Sequence, residues 1–299
     1  MLEAIQFPPW HAHPDVWLLV VVVEGAYLWA LSRWRPEAMP GSEQLDPPVR
    51  TRHVACFTLG MVAIWVASDW PIHDLAERYL FSVHMFQHML ISLVAPPLLL
   101  LGMPAWLLRR VIAPRPLNWV VRNLARPFFA LVIFNGVIVI THWPLIMNGV
   151  LEHHALHFVS HAVLFGAATL MWWPVVSPLP EMPTLSYPGR MVYLFLQSIV
   201  PTVPASFLTF GSSPLYRFYT HVPRIWGVSV MSDQMVSGLI MKLGGGAILW
   251  SVLAVVFFKW FALEEKGWDA LAWRGVEREV QARFGRPGDR SSSEEVPQH

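Results

Sequence analysis

The chain has 299 residues, of which 55% are hydrophobic and 14% are charged, a composition far from that of an average soluble domain. Its 21 Lys and Arg nearly balance its 20 Asp and Glu, so the chain lacks the basic excess that nucleic-acid binding requires. The single cysteine, Cys56, excludes an internal disulfide and a cysteine-based zinc or iron–sulfur site. Any metal site must therefore use imidazole, thioether, carboxylate or carbonyl ligands.

Apolar runs of about 20 residues recur along the chain, and a run of that length crosses the hydrocarbon core of a membrane as a helix. Backbone groups in lipid must bond internally, and these runs lack the period-two alternation of barrel strands. The sequence therefore predicts an all-α polytopic membrane protein, a bundle of seven transmembrane helices at residues 15–33, 53–70, 79–102, 128–143, 155–176, 189–210 and 233–260.

Arginine and lysine are concentrated in alternate connections between these spans. Short cytoplasmic loops carry the positive excess of membrane proteins, which predicts an N-terminus outside and a C-terminus inside. Residues 1–262 are expected to form the transmembrane domain, and residues 263–299 a cytoplasmic tail whose polar end is disordered. The basic residues behind this orientation are Arg33, Arg35, Arg50, Arg52, Arg109, Arg110, Arg115, Arg122, Arg126, Arg190, Lys259 and Lys266.

Most of the 13 histidines fall on the predicted outer side of the membrane. His84 and His88 form one pair in SVHMFQHML, and His157 and His161 form another in ALHFVSHAV. A separation of four residues places both rings on one helix face, as in the HxxxH segments of metal sites. His142, in THWP, ends the fourth span at the same depth.

A lone histidine in a span is more often a hydrogen-bonded packing residue than a ligand. Five at matched depth are different, because several buried donors and acceptors would be unsatisfied unless the rings share a partner. The sequence therefore predicts a common metal or cofactor at the outer mouth of the bundle. Histidines in the loops, such as His11, His13, His153, His154 and His221, are expected to be solvated.

The neighbouring residues favour copper over zinc, although imidazole suits both ions. Met85 and Met89 interleave with the first pair as soft thioether ligands, but methionine is also a common apolar filler. Asp233 and Gln234 lie where the last span enters. Asp233 is either part of the site or the N-cap of its own helix.

Three further features of the sequence predict contacts or bends within the helices. Glu24 and Lys242 lie at similar depth in the first and last spans, which predicts an ion pair. Pro96 and Pro97 predict a kink just below the first histidine pair. Gly238 is expected to allow close helix packing.

Paired histidines also suit a second class of function, a membrane haem- or quinone-binding redox protein, because histidines on facing helices ligate haem from both sides. Haem requires a gap for the porphyrin, whereas two residues four apart make a compact clamp, so metal handling is favoured. HExxH, GxSxG and convergent carboxylates are absent from the sequence. No enzymatic activity is therefore expected.

Five blocks occur in one order: HMFQHMLISLVAPPLLLLGMP, THWP, HFVSHAVLFGAATLMWWPV, SPLYRFY and SDQMVSGLIM. Over about residues 80 to 250, the chain resembles the CtaG-type assembly factors of caa-type cytochrome c oxidases. The resemblance implies a multi-pass protein of the bacterial plasma membrane that associates with lipid and with cytochrome c oxidase subunits and handles copper for them. The family's outer-face residues correspond to His84, His88, His142, His157, His161, Asp233 and Gln234.

The chain departs from the family pattern at two positions. Ser160 stands where an acidic residue is expected before the second histidine of the fifth span. Lys242 stands where a tryptophan often follows the methionine of the last span.

Overall fold

The computed structural model describes residues 7–34, 49–182 and 184–284. These residues form helices and no strand, which confirms the all-α prediction. The α-helices are α1 (Pro14–Arg33), α2 (Thr51–Ser68), α3 (Ile72–Arg78), α4 (Phe81–Met89), α5 (Ala95–Gly102), α6 (Ala105–Val111), α7 (Arg115–Leu124), α8 (Pro127–Thr141), α9 (Pro144–Leu151), α10 (His154–Val176), α11 (Tyr187–Ile199), α12 (Thr202–Phe210), α13 (Phe218–His221), α14 (Val230–Leu239) and α15 (Gly245–Phe284).

Within the described residues, six helical segments are long and apolar enough to cross a membrane. The count becomes seven if α7 and α8, which meet at 94°, form one bent span. The predicted polytopic helical bundle is therefore confirmed, with six to seven spans. The six segments are Pro14–Arg33, Thr51–Arg78, Phe81–Gly102, His154–Val176, Tyr187–Phe210 and Val230–Lys266.

The third span is interrupted by a π-helix, Leu90–Val94, between α4 and α5. Proline has no backbone N–H, so Pro96 leaves the Ser92 carbonyl, four residues earlier, without its helical donor. The Trp172 indole N–H donates to this carbonyl at 3.1 Å, and the Ser92 hydroxyl donates to the His88 carbonyl at 2.6 Å. The bundle thus supplies a donor to the carbonyl that Pro96 frees, as lipid requires. The kink at this position stays a prediction.

The last span contains a second π-helix, Ile240–Gly244, between α14 and α15. Just before it, Gly238 packs against α12. A Cβ added to Gly238 would lie 2.3 Å from Thr209 Oγ1 and 2.7 Å from the Ala205 carbonyl oxygen. Only a residue without a side chain allows this approach, so the predicted close packing at Gly238 is confirmed.

Gly238→Ala is expected to destabilise the bundle by about 1–3 kcal/mol, because the α12 backbone must move to admit the methyl group. Gly246→Ala is the matched control in the same span, since no atom lies within 4 Å of its added Cβ. There alanine should be neutral or stabilising, because it favours a helix over glycine. Thermal unfolding in detergent measures both variants, and equal midpoints would contradict the close contact.

The predicted ion pair between Glu24 and Lys242 is wrong for the described residues. Glu24 Oε1 accepts a hydrogen bond from the Thr58 hydroxyl at 2.7 Å, because α1 packs against α2. The Lys242 ammonium instead lies 5.9 Å from the centroid of the Phe210 ring. Equal depth in two spans does not make those spans neighbours.

The chain divides into two compact units, Met1–Leu253 and Ala254–His299. The first holds the bundle and its apolar core. In the second, the described residues continue α15 to its end at Phe284. The predicted boundary after residue 262 lies inside this helix and stays a prediction, and the predicted disordered end, 285–299, lies outside the described residues.

Candidate metal centre

Three helices bring imidazoles to one end of the bundle, which we call the histidine end. His84 and His88 lie on α4, and His157 and His161 lie on α10. His142 directly follows α8. α4 and α10 begin at this end, and α8, which packs against α10, finishes there. All five side chains therefore lie at the same end of the bundle.

The five rings form one cluster. Within each pair, on α4 and on α10, the ring centroids are 4.3 Å apart. Between the helices, His84 lies 5.4 Å from His157, His88 lies 5.0 Å from His161, and His88 lies 6.2 Å from His142. The structure therefore brings together every histidine that the sequence singled out as a ligand.

Three of the rings have the spacing of ligands to one ion. His84, His88 and His161 each offer a ring nitrogen, and these nitrogens all lie within 4.8 Å of one another. The Nε2 atoms of His88 and His161 are 3.1 Å apart, close to the roughly 3.3 Å that separates tetrahedral ligands bound at about 2.0 Å. We call these three residues the histidine triad.

Several imidazole nitrogens in the cluster are buried without a hydrogen-bond partner. These are both ring nitrogens of His84, Nδ1 of His88, Nε2 of His142 and Nε2 of His157. His84 is only 1% exposed. Each buried, unsatisfied polar atom costs about 1–3 kcal/mol, and a shared cation would accept the lone pairs of several of them. The donor set therefore fits a metal ion.

The hydrogen-bond partners of His142 and His157, which lie beside the triad, show which ring nitrogen carries a proton. His142 Nδ1 lies 2.8 Å from the Ile138 carbonyl oxygen, and a carbonyl oxygen only accepts, so Nδ1 carries the proton. His157 Nδ1 lies 2.8 Å from the Glu77 carboxylate and carries its proton for the same reason. In the neutral rings Nε2 then keeps a lone pair, the arrangement by which an outer partner prepares a metal-binding histidine.

The side chains of Asp233 and Gln234 bind backbone N–H groups of other segments. Asp233 accepts the backbone N–H of Phe81 at 2.8 Å and that of Ser82 at 2.9 Å, so its carboxylate caps α4. Gln234 Oε1 accepts the backbone N–H of Leu215 at 2.7 Å. Neither side chain belongs to the histidine triad, and their ligand role stays a prediction.

The alternative N-cap assignment of Asp233 requires a correction. The Ser229 hydroxyl accepts from the Ser232 backbone N–H and caps α14, whereas Asp233 caps a different helix.

The side chain of Met85 is buried in the apolar core, as expected for a filler residue. Its thioether is therefore placed for packing.

A second polar group, which was not predicted from the sequence, lies beside the cluster on the short helix α3. Glu77 lies 2.8 Å from His157 Nδ1, 3.4 Å from His73 Nε2 and 3.9 Å from His154 Nδ1. One turn earlier, Asp74 lies 2.9 Å from His13 Nε2. The spacing of His73 and Glu77 by four residues was the available signal.

Taken together, the fold and the site define a polytopic helical membrane protein with a buried multi-histidine centre at one end of its bundle. The sequence model of the cytochrome c oxidase caa3 assembly factor family (Caa3_CtaG) matches residues 25–262. The chain belongs to this family of assembly factors.

Curated relatives come from mycobacteria and have no stated activity. An uncharacterised protein of Mycobacterium bovis is 29% identical over 58% of this chain and 27% of its own length. An uncharacterised protein of Mycobacterium leprae is 27% identical over 67% of this chain and 31% of its own length. The chain thus spans less than a third of these relatives, and no solved structure matches it.

Proposed function

We propose that the chain is a non-enzymatic assembly factor that binds copper at the histidine triad and passes it to a subunit of cytochrome c oxidase. The observation that carries this proposal is the grouping of three ring nitrogens within 4.8 Å in a cluster with several unpartnered, buried nitrogens. The family membership supports cytochrome c oxidase as the protein that receives the copper. Copper is then the cargo of the chain and not its resident cofactor.

The ligand chemistry supports copper. Nitrogen-rich sites bind divalent copper more tightly than zinc, as the usual order of affinities states. Imidazoles also release their ion readily, because protonation competes with the metal. Zinc is the alternative cargo, since three histidines hold zinc in other proteins.

The distribution of basic residues supports an extracytoplasmic site. Arg109 and Arg110 lie on α6, directly after the third span, at the end of the bundle opposite the histidine end. Short cytoplasmic connections carry such residues. We therefore propose that the histidine end faces outward from the plasma membrane of a bacterium, where an oxidase subunit and membrane lipid are its neighbours.

The geometry disfavours the haem alternative. A haem held from both faces needs its porphyrin between the two histidines. His88 Nε2 and His161 Nε2 are 3.1 Å apart, at hydrogen-bond distance. A purified sample with a Soret band would favour haem instead.

Copper titration of the detergent-purified chain tests the proposal. We expect one tightly bound Cu²⁺ per chain and a weaker affinity for Zn²⁺. A tighter affinity for Zn²⁺ would reassign the cargo, and no tight site for either ion would contradict metal handling. In cells that lack the chain, cytochrome c oxidase should contain less copper, whereas an oxidase with its full copper content would contradict the delivery role.

A further inference from the structure

A group of polar side chains leads from the surface to the histidine triad. It consists of His154, Glu77, His73 and His157, which we call the entry group. Three imidazoles lie within 4.0 Å of one carboxylate, because Glu77 contacts His157 at 2.8 Å, His73 at 3.4 Å and His154 at 3.9 Å. Imidazole and carboxylate together are ligands for a transition-metal ion.

Exposure falls in order along this group. The side chain of His154 is 97% exposed, that of Glu77 18%, and that of His157 7%. His157 then contacts the triad directly, with its ring 4.3 Å from that of His161 and 5.4 Å from that of His84. The side chains of the entry group therefore form a continuous series of neighbours from solvent to the buried imidazoles of the triad.

Aromatic rings cover His84 on another side. Phe81 lies 5.9 Å from His84, 4.9 Å from Tyr216 and 5.0 Å from Tyr219, measured between ring centroids. All three aromatic side chains are buried. The side chains that cover His84 there are aromatic, whereas the entry group offers an imidazole or a carboxylate at each step.

The charge of the entry group also suits a cation. The groups that face Glu77 are imidazoles, which are neutral when unprotonated. The neighbouring Arg78 guanidinium lies 3.7 Å from Asp74, so a second carboxylate offsets its charge. Glu77 therefore places a negative charge beside the path, and such a charge raises the local concentration of cations.

We propose that the entry group is a second, transient metal site that takes copper from solvent and hands it to the triad through His157. The proposal rests on the proposed function. His154 and Glu77 bind the incoming ion first, and His73 adds a further nitrogen. His157 then shares the ion with His161 and His84, so the ion exchanges one protein ligand at a time and is never released into the apolar interior.

The rate of copper loading tests this proposal. The full chain, purified in detergent and stripped of metal, is mixed with Cu²⁺ held by a chromogenic chelator, and the loss of the chelator's colour gives the rate. We expect Glu77→Gln to slow loading about tenfold, the lower limit of the gain that focused charge provides. The wild-type rate should also fall with added salt more steeply than the Glu77→Gln rate, because salt screens the carboxylate.

His154→Ala separates an entry role from a structural one. This side chain is almost fully exposed, so its removal leaves the fold intact, yet loading should slow measurably. His153→Ala is the matched control, because His153 is also exposed and its Nδ1 bonds the Gly149 carbonyl of α9. It should load at the wild-type rate.

Two results would overturn the entry group. One is wild-type loading by Glu77→Gln, and the other is equal loading by His154→Ala and His153→Ala. A wild-type chain that takes up no copper at equilibrium would instead contradict the proposed function itself. The two failures are therefore distinguishable in one set of samples.

Discussion

The double variant His84→Ala/His88→Ala is expected to lose stoichiometric copper binding while its helix content is unchanged. The two residues supply two of the three nitrogens grouped within 4.8 Å. Loss of one outer partner of a metal ligand already costs about 10-fold to 100-fold in affinity, so removal of two ligands should cost more than about 100-fold. Elemental analysis and far-ultraviolet circular dichroism measure the two quantities.

A control must remove the same number of imidazoles elsewhere. His153→Ala/His221→Ala meets this need, because both side chains are exposed. Their Nδ1 atoms bond carbonyls four residues earlier, those of Gly149 and Arg217. His221 Nδ1 also lies 3.0 Å from the Thr220 hydroxyl. This variant should keep its full copper content. Full occupancy of the His84→Ala/His88→Ala chain would show that copper binds elsewhere.

Asp233→Ala is expected to destabilise the bundle by about 3–5 kcal/mol, the cost of breaking a buried charged contact. Its carboxylate accepts two backbone N–H groups at the start of α4, from Phe81 and Ser82, and hydrogen bonds to a charged group are the strong ones. Without it, both N–H groups are unsatisfied and the Arg224 guanidinium, 3.8 Å away, loses its counter-charge. The midpoint of thermal unfolding should fall by roughly 10 °C.

Asp15→Ala is the control for a carboxylate near a helix start. Asp15 is exposed in the first turn of α1, where its favourable interaction with the helix dipole contributes about 0.3–1 kcal/mol. Its replacement should therefore change the midpoint much less than Asp233→Ala does.

Asp233→Asn distinguishes capping from metal ligation. The amide keeps one acceptor oxygen and the shape of the side chain. If Asp233 caps α4, Asp233→Asn should lower both the stability of the protein and its copper affinity in part, because α4 carries His84. A metal ligand should instead lose affinity with stability unchanged. The second outcome would restore Asp233 to the metal site and contradict the capping account.

Several properties were predictable from local patterns. The apolar runs predict the spans, because about 20 apolar residues cross a bilayer whatever their neighbours are. The spacing of His84 and His88 predicts a shared helix face, because that spacing is one turn. The five blocks identify the family because each is a contiguous string of residues.

Other properties depend on which segments become neighbours, which a local pattern does not contain. Glu77 acquires its role because α3 lies against the start of α10, and the two residues that bond, Glu77 and His157, are 80 positions apart. The failed pairing of Glu24 with Lys242 has the same origin, because Glu24 contacts Thr58 of the neighbouring helix α2 instead.

By itself, the amino-acid sequence determined the membrane class, six of the seven predicted spans, the family and which five histidines cluster. Only the tertiary structure decided that Asp233 caps α4 from 152 residues away and that Glu77 orients His157. The physical reason is range: helix periodicity and hydropathy act between residues a few positions apart, whereas hydrogen bonds between helices depend on how the whole bundle packs.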